Sequence, residues 1–413
     1  MKLGLIRHFT TAAAAVALGL GVSFADAKAA ETIKIGSFLA VTGGASFLGD
    51  PEKKTLEMYI DKINAEGGVI GRKLELILYD DQGNPKNTVP FVKRLISDDK
   101  VDILLAGSTT GSTMAAIPFV EAAGIPFISF GGAGVIINPV KKWVFKTPHT
   151  DTLAVQKIFT DMKSRGISKV GLLSGSGGFD KSCRKQVQTL APKNAMTIVA
   201  DETHGKGDTD MTPQITKIKG AAGVQAFMYC GFGAATSIVA KNFKQLGVTI
   251  PHYQTHGSAS KSFIKNADGG AEGVRLPAAA LVVVDALPAS HPQKKVASAY
   301  KAMYESKTGD SISSFGGHAY DGLMIAVEAI KRAGSTDKAK VRDEIEKTKN
   351  FIGVDGIFTM SPTDHLGLDE ASLVMVEVRN GNWYMLKEGL LLDSGQASPP
   401  AGGEASFSIA GKA

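Results

Sequence analysis

The chain has 413 residues, two to three domains' worth at roughly 150 residues each. Apolar residues make up 44% of it and charged residues 21%, which excludes a disordered or collagen-like chain. Lys and Arg outnumber Asp and Glu by 46 to 40, but no basic run or aromatic-basic interleaving points to nucleic acid, and two cysteines without CxxC spacing exclude a disulfide scaffold and argue against zinc.

In chain order the first feature is a three-part leader. Lys2 and Arg7 precede an uncharged, Ala-rich stretch over residues 9–24, and Ala27 and Ala29 flank Lys28 as small residues at a cleavage site. This is the pattern of a secretory signal over residues 1–29. The stretch is too short and too rich in Ala and Gly for a membrane span. A soluble protein exported to the periplasm is expected.

The body alternates strands and helices. Residues 32–38 (TIKIGSF) predict a strand, and Asp50-Pro51 opens a helix that puts Leu56, Ile60 and Ile63 on one face and ends at Gly67-Gly68. Residues 73–79 predict a strand, and Asn84-Pro85 starts a helix with Val89, Val92 and Ile96 inward. Strands follow at 101–105 and 126–130 with a helix around 114–123 between them, then at 169–173, 226–229, 274–276 and 281–284. This rhythm implies βαβ units and a mostly parallel sheet. There are too many units for one sheet, and residues 143–149 read as a crossing, so two α/β lobes are expected.

Ligands in such sheets sit where the carboxyl ends of strands lead into helices. Those loops are AVTGGASFLG (40–49), GSTTGST (107–113), FGGAG (130–134), SGSGGFD (174–180), CGFGA (230–234), THGSAS (255–260) and FGGHAY (315–320). They are rich in Gly, Ser and Thr, carry one or two aromatics each and almost no charge. Glycine admits a close backbone approach, and hydroxyls with helix-start amides can receive a carboxylate. Any one loop also suits a tight strand-to-helix turn, but seven at corresponding strand ends predict a cleft. Phe47, Phe130, Phe179 and Phe232 could wall it, with Phe130 equally readable as core. Enzyme motifs fail: Gly175-Ser176-Gly177 meets Asp180 where a dinucleotide loop needs glycine, and Leu48 ends what would be a nucleophile elbow. No cofactor or metal is expected, and no catalytic set is present.

The segments IKIGSFLAVTGGASFLG (33–49), INAEGGVIGRKLELILYDDQGNP (63–85), GSTTGST (107–113), IPFISFGGAG (125–134), FKQLG (243–247) and AYDGLMIAVEAI (319–330) together resemble the type I periplasmic solute-binding proteins of the leucine/isoleucine/valine-binding family. The resemblance implies an α/β fold of two Rossmann-like lobes with parallel sheets joined by three hinge crossovers. Lobe one would be residues 30–148 plus 277–357, lobe two 149–276 plus 358–389, and 390–413 a flexible tail. It implies a monomer that traps a small carboxylate by hinge closure and delivers it to an ABC-type membrane permease, without chemistry. The family's lobe-one carboxylate loops match Thr109, Thr110, Ser112 and Thr113, and Gly132, Ala133 and Gly134. Its lobe-two acidic partner for an α-ammonium is replaced by His256 in PHYQTHGSAS. A buried ammonium without a carboxylate costs several kcal/mol, so a carboxylate or neutral polar tail facing His256 or His318 fits better, against Phe47, Phe179 and Phe232. An aromatic acid, such as a benzoate or phenylpropanoid derivative, is expected. The alternatives are a branched-chain amino acid or small amide, or a sensory ligand-binding domain. Cys230 could line the cleft, and Cys183 and Cys230 could be bridged or free.

Overall fold

The computed structural model describes residues 31–386; the expected leader and tail lie outside them. Aliphatic strands build a first sheet from β1 (Ile33–Leu39), β2 (Leu74–Asp80), β3 (Ile103–Ala106), β4 (Phe127–Ser129) and β5 (Val144–Lys146), all parallel in the order β2-β1-β3-β4-β5. Helices α1 (Ser46–Ala65), α2 (Pro85–Ser97) and α3 (Thr110–Ala123) are the crossovers between successive strands. Both faces of such a sheet are covered, which is why β3 is apolar at every position and wholly buried.

The second sheet is threaded by α4 (Asp151–Ser164), β6 (Lys169–Ser174), α5 (Gly178–Leu190), β7 (Thr197–Thr203), α6 (Thr212–Lys219), β8 (Ala226–Cys230), α7 (Ala234–Gln245), β9 (His252–Gln254), α8 (Lys261–Asn266) and β10 (Arg275–Ala279). The chain then returns to the first layer with α9 (Lys294–Thr308), α10 (Ser314–Ala333) and α11 (Lys338–Glu346), where α10 packs along α1. A short hairpin, β11 (Phe351–Ile352) and β12 (Ile357–Phe358), precedes β13 (Leu373–Arg379) and β14 (Asn382–Met385), which add antiparallel to the second sheet. Its order is β14-β13-β10-β9-β8-β6-β7. The molecule therefore has two α/β lobes, and the chain passes between them three times: after β5, after β10 and after β12. No helix among the described residues is long and apolar enough to cross a membrane.

Three local expectations are corrected. The first helix begins at Ser46 rather than at Asp50-Pro51, with Pro51 inside it. Gly49 makes this winding fit, since a Cβ there would lie 2.3 Å from the Ala40 backbone. Residues 281–284 are no strand but part of a 3₁₀ segment, Ala280–Ala286, which leaves the sheet with Leu281 and Val284 buried in the first lobe's core. Residues 144–146 are a strand of the first sheet, so that crossing starts only after Lys146. Cys183 and Cys230 form a disulfide with Cα atoms 5.7 Å apart, tying α5 to the end of β8.

Candidate functional site

The carboxyl ends of both sheets face each other across a small cavity between the lobes. From the first lobe, Gly107 turns the chain out of β3 at φ +79°, where a Cβ would stand 2.4 Å from Thr113 Oγ1. Thr109 then caps α3, its hydroxyl accepting from the Ser112 amide at 3.1 Å. This leaves Ser108, Thr109 and Thr110 on the cavity wall. After β4, Phe130 and Gly132 reach the same wall, joined by Leu48 of α1, Pro148 of the first passage, and Phe315 and His318 of α10.

The second lobe supplies rings. Phe179 meets Phe232 edge-on at 6.1 Å and His256 at 5.5 Å, and all three line the cavity with Gly257. A side chain on Gly132 would intrude here, since its Cβ would lie 3.1 Å from the Phe179 ring and 3.2 Å from His256 Nε2.

The wall carries four phenylalanines and no Asp, Glu, Lys or Arg. Three of its buried polar atoms have no hydrogen-bond partner in the protein: Thr110 Oγ1, His256 Nδ1 and His318 Nδ1. Burial, then the nearby Lys146, pushes His256 down to about 3, while a hydrogen bond to the His149 backbone works the other way. His318 is held well below its ordinary value by burial and by His149, His256 and Lys146. It approaches Asp355 within 3.5 Å. Burial, then the neighbouring Asp321, holds that carboxyl well above the carboxylate range.

Two ionisable residues stand just behind the wall. Lys146 donates to the carbonyls of Gly132 (3.3 Å), Pro148 (2.6 Å) and His149 (3.2 Å), and burial lowers it to about 7. The Glu52 carboxyl accepts from the Ser108 hydroxyl and is raised well above its ordinary value by burial.

Of the residues singled out in the sequence, Thr109, Thr110, Phe130, Gly132, Phe179, Phe232, His256 and His318 converge on this cavity. Phe47 lines an adjoining hollow and packs edge-on against Phe315 at 5.4 Å. Ser112 and Thr113 are turned inward, to the Thr109 hydroxyl and to the Gly107 carbonyl and Ser129. Ala133 belongs to the second lobe's core, and the Gly134 amide donates to Asp151. Cys230 is fully buried in its disulfide. Leu48, Ser108, Pro148, Gly257 and Phe315 were not singled out. Phe315 shares the FGGHAY loop with His318, but an apolar residue at a helix start looks the same whether it faces core or cavity.

Over residues 32–382 the chain matches the protein family described as periplasmic binding protein. It is similar to the leucine-, isoleucine-, valine-, threonine- and alanine-binding protein of Pseudomonas aeruginosa, 25% identical over 344 residues that cover 83% of this chain and 87% of that protein. Among solved structures it is similar to an extracellular ligand-binding receptor from Rhodopseudomonas palustris HaA2, with 27% identity, a TM-score of 0.80, and coverage of 86% of this chain and 100% of that one. A solute binding protein of an ABC transporter from Rhodopseudomonas palustris BisB5, in complex with 3,4-dihydroxybenzoic acid, is similar in fold, with a TM-score of 0.73 at 22% identity over 86% of this chain and 96% of that one.

Proposed function

We propose, from the premise that this chain belongs to the periplasmic binding protein family and within it to the Leu/Ile/Val-binding type, that it traps an aromatic carboxylic acid between its lobes for an ABC-type permease. The carrying observation is the wall of the cavity: four phenylalanines, no charged side chain, and unpartnered polar atoms on Thr110, His256 and His318. Phenylalanines offer flat apolar contact to a ring. The carboxylate would lie at the α3 N-terminus, where the Thr110 hydroxyl and the helix dipole favour an anion. Closure about the three passages between the lobes would exclude water, the ligand acting by its better fit to the closed state. The residues assigned to the ligand are therefore Thr109, Thr110, Gly132, Phe179, Phe232, His256 and His318.

A second reading is favoured by the similarity to the Pseudomonas aeruginosa protein, named for aliphatic amino acids. It needs an anionic partner for the α-ammonium, and Glu52, an acidic group behind the wall, is held by Ser108.

A thermal-shift screen separates the two. The panel comprises benzoate, hydroxybenzoates, cinnamates, aryl-keto acids, leucine, valine and small amides. A ligand at about 100 times its Kd adds roughly 2.7 kcal/mol, so aromatic acids are expected to raise the melting temperature and leucine to leave it unmoved. A shift with leucine or valine and none with any aromatic acid would overturn the ligand assignment.

A further inference from the structure

Beside the inner cavity lies a larger chamber, which shares Thr109, Phe179 and Phe232 with it as a common wall. Asp180, in the first turn of α5, lines this chamber with His204 and Tyr229. It is 7% exposed. One carboxylate oxygen, Oδ2, closes the start of the helix by accepting from the Gly177 amide at 2.9 Å. The other, Oδ1, has no hydrogen-bond partner beyond the residue's own amide.

The ring of His204 and the hydroxyl of Tyr229 are already engaged. His204 Nδ1 lies 2.9 Å from the Gly205 carbonyl, which can only accept, so this nitrogen carries the proton. In the neutral ring Nε2 then accepts, and the Tyr229 hydroxyl donates to it at 2.9 Å. Neither His204 nor Tyr229 then has a proton left to donate to Asp180. Gly175 keeps the cluster together, since a Cβ there would stand 2.3 Å from Asp180 Oδ2 and 3.3 Å from His204 Cε1. A buried carboxylate oxygen without a donor is costly, and capping the helix needs only one of the two.

We infer that the outer chamber is a second subsite of the cleft, in which Asp180 Oδ1 accepts a hydrogen bond from a hydroxyl or ammonium at the far end of an elongated ligand. The ligand's acid end rests in the inner cavity, so this inference builds on the proposed function. The body passes the edge formed by Phe179 and Phe232, and the distal donor meets Asp180. The ligand class is thereby narrowed to aryl acids bearing a donor opposite the carboxylate.

The test is calorimetric titration of the full protein with three acids that differ only at the para position: 3-phenylpropanoate, 3-(4-hydroxyphenyl)propanoate and 3-(4-aminomethylphenyl)propanoate. A hydrogen bond to a charged group predicts that at least one of the two donor-bearing acids binds about tenfold or more tighter than the first; which one does distinguishes a hydroxyl from an ammonium. In Asp180→Asn and Asp180→Ala the ratio between donor-bearing and plain acid is expected to fall towards one. Equal binding of all three to the unaltered protein, or a ratio that survives both substitutions, would overturn the subsite and leave the acid reading standing. Binding of none of the three would overturn both. A substitution that lowers the melting temperature but preserves the ratio would assign Asp180 to capping alone.

Discussion

At the scale of single residues the site is governed by charge that burial suppresses. His256 and His318 face the cavity neutral, with His149 behind them also pushed down to about 3 by burial, His256 and Lys146. A carboxylate brought against these rings favours their protonated form and raises their pKa. Binding then takes up protons. The sign follows: affinity for an aromatic acid is expected to rise as pH falls through the pKa that the rings take on beside the ligand, by up to about tenfold per unit for each proton fully taken up, until the ligand's own carboxylate protonates. The matching amide should show no such trend. Calorimetry in buffers of different ionisation enthalpy reads the proton directly, and release of protons would contradict the account. Glu52 behaves oppositely. Its pKa is raised on folding, so its contribution to stability is full below about 4.5 and is lost as pH rises through the folded value. Glu52→Gln is expected to gain in melting temperature relative to the parent as pH is raised from 4.5, and a constant difference across pH would refute this. Sequence alone showed that GSTTGST and THGSAS are uncharged loops. It did not show that the Ser112 and Thr113 hydroxyls turn back to the protein while Thr110 is left unpartnered, because residue type does not fix a side chain's direction.

Among the elements, close packing at helix starts sets the shape of the wall. Gly49→Ala would drive a Cβ into the Ala40 backbone at 2.3 Å. An overpacking cost of about 1–3 kcal/mol is expected, visible as a lower melting temperature; an unchanged one would mean that the α1 start is differently placed. The Cys183–Cys230 bridge spans 47 positions in sequence. Replacing both cysteines with Ala should cost about 2–4 kcal/mol through the unfolded chain, checked by denaturant unfolding under non-reducing conditions. Alternation of strand and helix was legible from periodicity, as were the loops that end the strands. The antiparallel strands β13 and β14 went unread, and the 3₁₀ segment Ala280–Ala286 read as a strand. Its Leu and Val residues suit any buried segment, so only the chain's departure from the sheet decides its form.

For the whole molecule the lobes meet through glycine. A Cβ on Gly178 would lie 3.3 Å from the Gly111 amide of the other lobe, and one on Gly233 would lie 3.2 Å from the Gly44 carbonyl. Gly178 is exposed and its φ is not in the left-handed region. Gly178→Trp should therefore fold but prop the cleft open. Small-angle scattering is expected to show ligand-induced compaction in the parent and its loss in this variant; equal compaction in both would contradict closure at this contact. The central claim concerns what the closed cleft holds, and one pair of compounds tests it most directly. Phenylalanine is 3-phenylpropanoate with an α-ammonium added, and a cavity wall without a carboxylate should reject that charge at a cost of several kcal/mol. Titration of both into the purified protein is expected to give a Kd for 3-phenylpropanoate at least about a hundredfold lower than for phenylalanine. Equal affinity, or tighter binding of the amino acid, would contradict the account.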